Sequence, residues 1–224
     1  RRTHQGATSP DTAGTYSQRR GEPRVTAQPL TDRGRRTRES LIEAGRRVFE
    51  ERGFNGTRMS DIASAAGVSH GTVYTWFATK ESVLAAVADT VIEGLYDSMR
   101  TPPGATARAR IDLANRSYLD SYRDHARLLE VVEQAAVTHP EFRTLLASLR
   151  ATHVARVTTT IERLQRDSLV RDDVDAAVAA AALCAMVEGF ARHWFGRGEV
   201  YEEFQAVSTL TMLWASALQL QEEQ

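Results

Sequence analysis

The sequence predicts an all-α protein of about nine helices: a three-helix amino-terminal head, a linking helix and a carboxy-terminal helical body. Three observations carry this. Apolar residues recur at three- and four-residue spacing through most of the chain after residue 34, and no stretch of any length alternates as a strand would. Glycine and proline punctuate these stretches at Gly53, Gly67, Pro102, Pro103, Gly104, Pro140, Gly196 and Gly198. The 224 residues are 42% hydrophobic and 25% charged, enough length and apolar content for a packed core with a soluble surface.

Residues 1–30 hold Gly, Ser, Thr, Pro and Arg with almost no large apolar side chain, which predicts a flexible tail. The first helix is expected from about Arg35 to Arg52, where Leu41, Ile42, Gly45, Val48 and Phe49 share a face and Gly53 ends it. Phe54 then turns back to the core, and Thr57 is expected to cap the second helix, with Arg58 beside it. Thr79 caps a fourth helix to about Met99. Its apolar stripe, Val83, Leu84, Val87, Val91, Ile92, Leu95 and Met99, is longer than a three-helix head needs, so its far half is expected to pack on the body. Five helices follow: 106–122, 124–137, one opened by Pro140 and running through Leu164, one capped by Asp172 or Asp173 and reaching Phe195, and one from about Val200 to Leu220. The boundaries expected are 1–30 for the tail, 31–78 for the head and 79–224 for linker and body.

Between Met59 and Trp76 the sequence reads MSDIASAAGVSHGTVYTW. Ile62, Ala63 and Ala66 face one way on a short helix, and the Ala63 methyl admits a close crossing. Gly67 supplies a left-handed backbone where that helix stops. Val68 plugs the turn, and Ser69 can cap a new helix on which Val73 and Trp76 point inward. The opposite face carries His70, Gly71, Thr72, Tyr74 and Thr75, all small or able to hydrogen-bond. This is the pattern of a helix-turn-helix, whose second helix enters the DNA major groove.

Around that window Gly53-Phe54, Thr57, Asp61-Ile62-Ala63, Ala66-Gly67-Val68-Ser69, Gly71-Thr72-Val73-Tyr74, Phe77 and Lys80-Glu81 together closely resemble the amino-terminal domain of TetR-family transcriptional regulators. The resemblance covers about Arg35 to Met99; beyond it, only helicity and length match. His70 stands where the family often has Lys. The resemblance implies a dimeric DNA-binding protein whose helical body encloses a small-molecule effector and whose two heads change separation when the effector binds. The positions that contact phosphate in such proteins correspond to Thr57, Ser69, Thr72, Tyr74 and Lys80; His70, Gly71 and Thr75 are left for base edges.

Charge distribution agrees with a nucleic-acid partner. The net charge is -1, yet residues 1–60 hold 13 Arg against 7 acidic residues, and residues 101–224 hold 13 Arg against 17. A basic front and an acidic back suit a protein that offers one end to phosphates, with Arg33, Arg35, Arg36 and Arg58 as candidates. One recognition helix touches few base pairs, so two copies reading a palindromic double-stranded operator are implied. The last two helices supply candidates for that homodimer: small residues including Ala179, and bulk from Leu183, Phe204, Leu210, Leu213, Trp214 and Leu218. Tyr118, Tyr122, Val132, His153, Val157, Met186, Phe190 and Trp194 are the candidates for lining an effector cavity, and their character suits a mostly apolar molecule. Glu188 and His193 are polar groups that can orient a ligand or satisfy the interface.

Other functions find less support. No two histidines stand three or four apart, no glycine loop is shaped to cradle phosphate, and the single cysteine, Cys184, sits in an alanine-rich apolar run. An enzyme on a helical scaffold therefore has no visible chemistry, and no metal or cofactor is expected. A helical adaptor without DNA binding is opposed by the intact polar face at His70–Thr75. The expected localisation is cytoplasmic, with no membrane partner, since no uninterrupted apolar run reaches spanning length.

Overall fold

The computed structural model describes residues 31–99 and 104–221, and within them eight α-helices and no strands. The expected tail, residues 1–30, lies outside the described residues. α1 (Asp32–Gly56) starts on the Thr31 hydroxyl, which accepts from the Gly34 amide, and breaks at Gly53, whose φ of 67° is left-handed. α2 (Met59–Ala65) and α3 (His70–Trp76) enclose the tight turn at Gly67, where φ is 66°. α4 (Lys80–Asp97) begins on the Thr79 hydroxyl, which accepts from the Ser82 amide.

The body holds α5 (Ala107–Thr138), α6 (Pro140–Arg166), α7 (Ala176–Ala191) and α8 (Glu203–Leu218), with Arg192–Gly196 continuing α7 as one π-helical segment. The two helices expected at 106–122 and 124–137 are a single helix. No glycine or proline separates them, and Arg123 bridges the expected break by pairing with Asp120 one turn back at 2.8 Å. Two caps also differ from expectation. Arg58, not Thr57, occupies the N-cap position of α2, because Thr57 is still closing α1. Asp175, not Asp172 or Asp173, caps α7 by accepting from the Val178 amide at 2.9 Å, while Asp173 pairs with Arg171.

Head and body share one core. Leu41, Phe49, Ile62 and Val73 are fully buried in the head, and the α4 stripe from Val83 to Leu95 continues that cluster into Leu119, Leu128, Val132 and Phe142 of the body. Each such side chain contributes about 2 kcal/mol by leaving water, so the long stripe is a strong joint. At Gly45, α1 crosses α4 so closely that a Cβ would lie 2.7 Å from Val83 Cγ1. A second cluster around Ile161, Leu164, Ala180 and Leu218 closes the far end. There the Gln221 amide donates to the Leu169 carbonyl at 2.8 Å and ties the end of α8 to the loop after α6.

Within Ala176–Gly196, 21 residues long, a window of mean hydropathy 1.2 meets the length and composition of a membrane span, although charged side chains interrupt it. In the fold it packs along α6 and carries Glu188 and Arg192, both in ion pairs.

Candidate DNA-binding face and ligand cavity

In α3 the local sequence divides inside from outside. Val73 is fully buried and Trp76 half-buried, tucked so near the start of α1 that a Cβ on Gly34 would lie 3.2 Å from the indole. His70, Gly71, Tyr74 and Thr75 are exposed together on the opposite face, with the His70 and Tyr74 rings edge to face at 5.0 Å. Ser69 Oγ accepts from the Thr72 amide at 3.2 Å and lies 2.8 Å from Thr72 Oγ1. Thr75 Oγ1 donates to the Gly71 carbonyl at 3.2 Å, leaving its methyl on the outer face. Alongside, Asp32, Arg33, Arg36, Thr37, Ser40 and Val68 form a groove between the first turns of α1 and the turn before α3. Arg35 is exposed and pairs with Asp32 at 3.1 Å; Arg58 is exposed at the start of α2.

Two candidates from the sequence have other work. Thr57 is 2% exposed, and its hydroxyl donates to the Gly53 carbonyl at 2.7 Å, which locks the break in α1 and turns the group away from solvent. The Lys80 ammonium donates to the carbonyls of Phe54, at 2.9 Å, and Thr57, at 3.3 Å, and stands 4.4 Å from the centre of the Phe54 ring. Lys80 thus closes the carbonyl end of α1 from the first turn of α4. A Lys80→Met variant, which keeps the stem and loses the charge, is expected to unfold with about 1–2 kcal/mol less stability in urea titration. An unchanged midpoint would leave phosphate contact as its only role.

In the body, α4, α5, α6, α7 and α8 line a half-open cavity of about 500 Å³. Tyr118, His153 and Val157 line it as expected. Tyr122 and Val132 do not: they are core, 7% and 0% exposed. Met186, Phe190 and Trp194 do not either, because the face of α7 turned to the cavity is the neighbouring one, Cys184, Val187 and Glu188. Phe190 and Trp194 instead form an aromatic cluster with Phe195 and Tyr201 at the end of α7. The sequence reading also missed Tyr96 on α4, Met99 just beyond its end, Arg110, Asn115, Arg156, Thr160 and Trp214. The signal for Tyr96 was there, in an α4 stripe too long for the head. Asn115 Nδ2 donates to Thr211 Oγ1 at 3.2 Å, a buried polar pair that fixes α5 against α8 beside the cavity.

The electrostatics of this cavity follow from burial. The His153 ring stacks on Tyr96 at 4.3 Å. Burial first, then the charges of Arg156 and Arg150, hold it down to about 4. Burial, reinforced by the Glu188 carboxylate, raises the Tyr96 hydroxyl well above its ordinary range. Burial likewise pushes the Cys184 thiol up to about 12, which makes it a packing group rather than a nucleophile. Glu188 is held by Arg150 at 2.8 Å.

A pH dependence follows. The unfolded chain takes up the His153 proton near pH 6.5 and the folded protein only near 4. Protons therefore favour unfolding as pH falls through this window, and stability is full above it. Discounting for the part of the ring that meets solvent, the expected loss is about 2 kcal/mol. Urea midpoints at descending pH will show it as a slope that His153→Gln flattens.

On the outside of α7 and α8, Val178, Phe204, Met212 and Leu213 are 68%, 69%, 50% and 43% exposed. Leu183, Leu210 and Leu218, expected at a dimer interface, are instead buried within the protomer, and Ala179 is half-buried there. Trp214 belongs to the cavity. Of the interface candidates, Phe204 and Leu213 remain on the surface.

Comparison with known proteins adds two family models. One described as bacterial regulatory proteins, tetR family, matches residues 41–87; one described as BetI-type transcriptional repressor, C-terminal, matches residues 107–218. The second alone spans half of the chain. The chain belongs to the TetR family. Among TetR-family relatives, the transcriptional repressor NicS of Pseudomonas putida is 30% identical over 169 residues, 66% of this chain and 74% of NicS. The transcriptional activator FasR of Mycolicibacterium smegmatis is 27% identical over 209 residues, 88% and 92% of the two chains. The structure of Salmonella enterica GusR superposes with a TM-score of 0.71 at 23% identity, covering 85% of this chain and 98% of that one, which speaks for the fold. As a TetR-family member this protein is a transcriptional regulator with a DNA-binding helix-turn-helix, and not an enzyme.

Proposed function

We propose that this regulator works as a homodimer that represses transcription from a palindromic operator and leaves it when a small, mostly apolar effector enters the body. The supporting observation is that α4 is shared: its first turns pack in the head through Val83, Leu84 and Val87, and Tyr96 on its last turn lines the cavity. An effector that prefers one position of α4 thereby favours one spacing of the two heads, and DNA weakens effector binding in return. Residues 31–78 serve as the DNA-binding part and 79–224 as linker, effector and dimerisation part. Arg35, Arg58, Ser69, Thr72 and Tyr74 take phosphates, whereas His70, Gly71 and Thr75 meet base edges. Phe204 and Leu213, with Val178 and Met212, form the surface that a second copy covers.

The test is binding of the purified protein to the DNA upstream of its own gene across a salt series. Expected are a dimer per palindrome, half-sites about 34 Å apart or a small multiple of that, and a steep loss of affinity with salt. Weak binding without sequence preference to every such fragment would overturn the operator reading. Activation is the second reading, favoured by the long match to FasR. A reporter gene decides it, rising on deletion of a repressor and falling on deletion of an activator.

A further inference from the structure

Two buried polar atoms at the cavity lack a protein partner. Glu188 uses Oε2 to hold Arg150 at 2.8 Å, and its Oε1 is buried without a hydrogen bond. The Trp214 Nε1–H is likewise buried and unpaired, and both side chains line the same cavity. Tyr96 is near enough for the carboxylate to act on its hydroxyl, yet no hydrogen bond of normal geometry reaches Oε1. A buried acceptor and a buried donor left unmatched are each costly, and a ligand that satisfies both recovers that cost on binding.

We infer that the effector is an uncharged molecule with an apolar body and a hydroxyl group, which donates to Glu188 Oε1 and accepts from Trp214 Nε1. This rests on the effector reading above and gives it a ligand class. The alternatives fit less well. An ammonium group gains little from a carboxylate that Arg150 already neutralises, and it has no acceptor to offer the indole. A carboxylate group can accept from the indole but, once ionised, has no proton to donate to Oε1. The rest of the lining is mostly apolar or aromatic, including Met99, Ile111, Val157, Val187 and the stacked Tyr96–His153 pair; its polar members are Arg110, Asn115, Thr160 and Arg156, the last paired with Asp97 at 3.2 Å. The cavity of about 500 Å³ has room for several fused or linked rings.

A matched series of probes tests this by titration calorimetry on the full chain: para-phenylphenol, biphenyl, para-phenylbenzoate and para-phenylbenzylamine. The phenol is expected to bind at least roughly tenfold more tightly than the other three. Trp214→Phe should weaken the phenol roughly fivefold while leaving biphenyl unchanged. The ligand-free variant should melt no lower than the parent, since an unpaired donor has been removed. Equal affinities across the series, preference for the acid or the amine, no binding by any probe, or a phenol indifferent to Trp214→Phe would each overturn the proposal. Operator release by the phenol is measured separately. Binding without release defeats the effector reading alone, and release by ligands that show no hydroxyl preference defeats this inference alone.

Discussion

Exchanging Phe204 and Leu213 together for Glu is expected to convert the protein to a monomer in sedimentation velocity and to reduce operator affinity by more than a hundredfold. Both side chains are exposed in the protomer, 69% and 43%, so the charges meet water rather than the core and the helical content should be preserved. In a dimer the same four carboxylates would be brought together and stripped of solvent, which costs several kcal/mol. Loss of the second head then removes the gain from tethering: once one half-site is held, the other head sees an effective concentration on the order of millimolar. Circular dichroism separates dissociation from unfolding. The same change at Leu210 or Leu218, which are 3% and 2% exposed, would unfold the protomer instead. A double variant that still sediments as a dimer would move the interface elsewhere.

The other large effect concerns the crossing of α1 and α4. A Gly45→Val substitution is expected to destabilise the protein by about 3 kcal/mol, because even a Cβ there would lie 2.7 Å from Val83 Cγ1 and 3.6 Å from Val87 Cγ2. Both neighbours are fully buried, so neither can swing aside. The helices must separate, and α3 shifts with them because it packs on the same core through Val73. Thermal unfolding gives the first effect, and a loss of operator binding larger than the loss of folded protein gives the second. A variant with normal stability would mean that the crossing is looser than its geometry.

The helix-turn-helix was legible residue by residue because its constraints are local. Gly67 needs its left-handed backbone, Ser69 its amide, and Val73 its place one face away from Tyr74. The structural partners of Thr57 and Lys80 were not legible, for the opposite reason. Their partners are carbonyls at the end of α1, four and twenty-six residues away, and a polar side chain beside a basic motif carries no mark of which way it turns. α7 posed a related problem. It is apolar on nearly every side, so Met186, Phe190 and Trp194 looked as eligible as Cys184, Val187 and Glu188, and only the seating of α6 and α8 decides between faces a hundred degrees apart. The same holds for α8, where Leu213 points outward and its neighbour Trp214 inward.

The core that runs unbroken through α4 bears on how regulators of this kind can be recombined. Grafting a foreign recognition helix here by cutting at residue 78 would leave α4 with a stripe cut for a different α1, and the mismatch at Gly45 alone would spoil the joint. A transplant that keeps α1 to α4 whole escapes this. It must still match the body at the Arg127 Nε to Glu50 carbonyl bond of 3.2 Å and at the edge-to-face contact of His139 with Phe54, 4.9 Å apart.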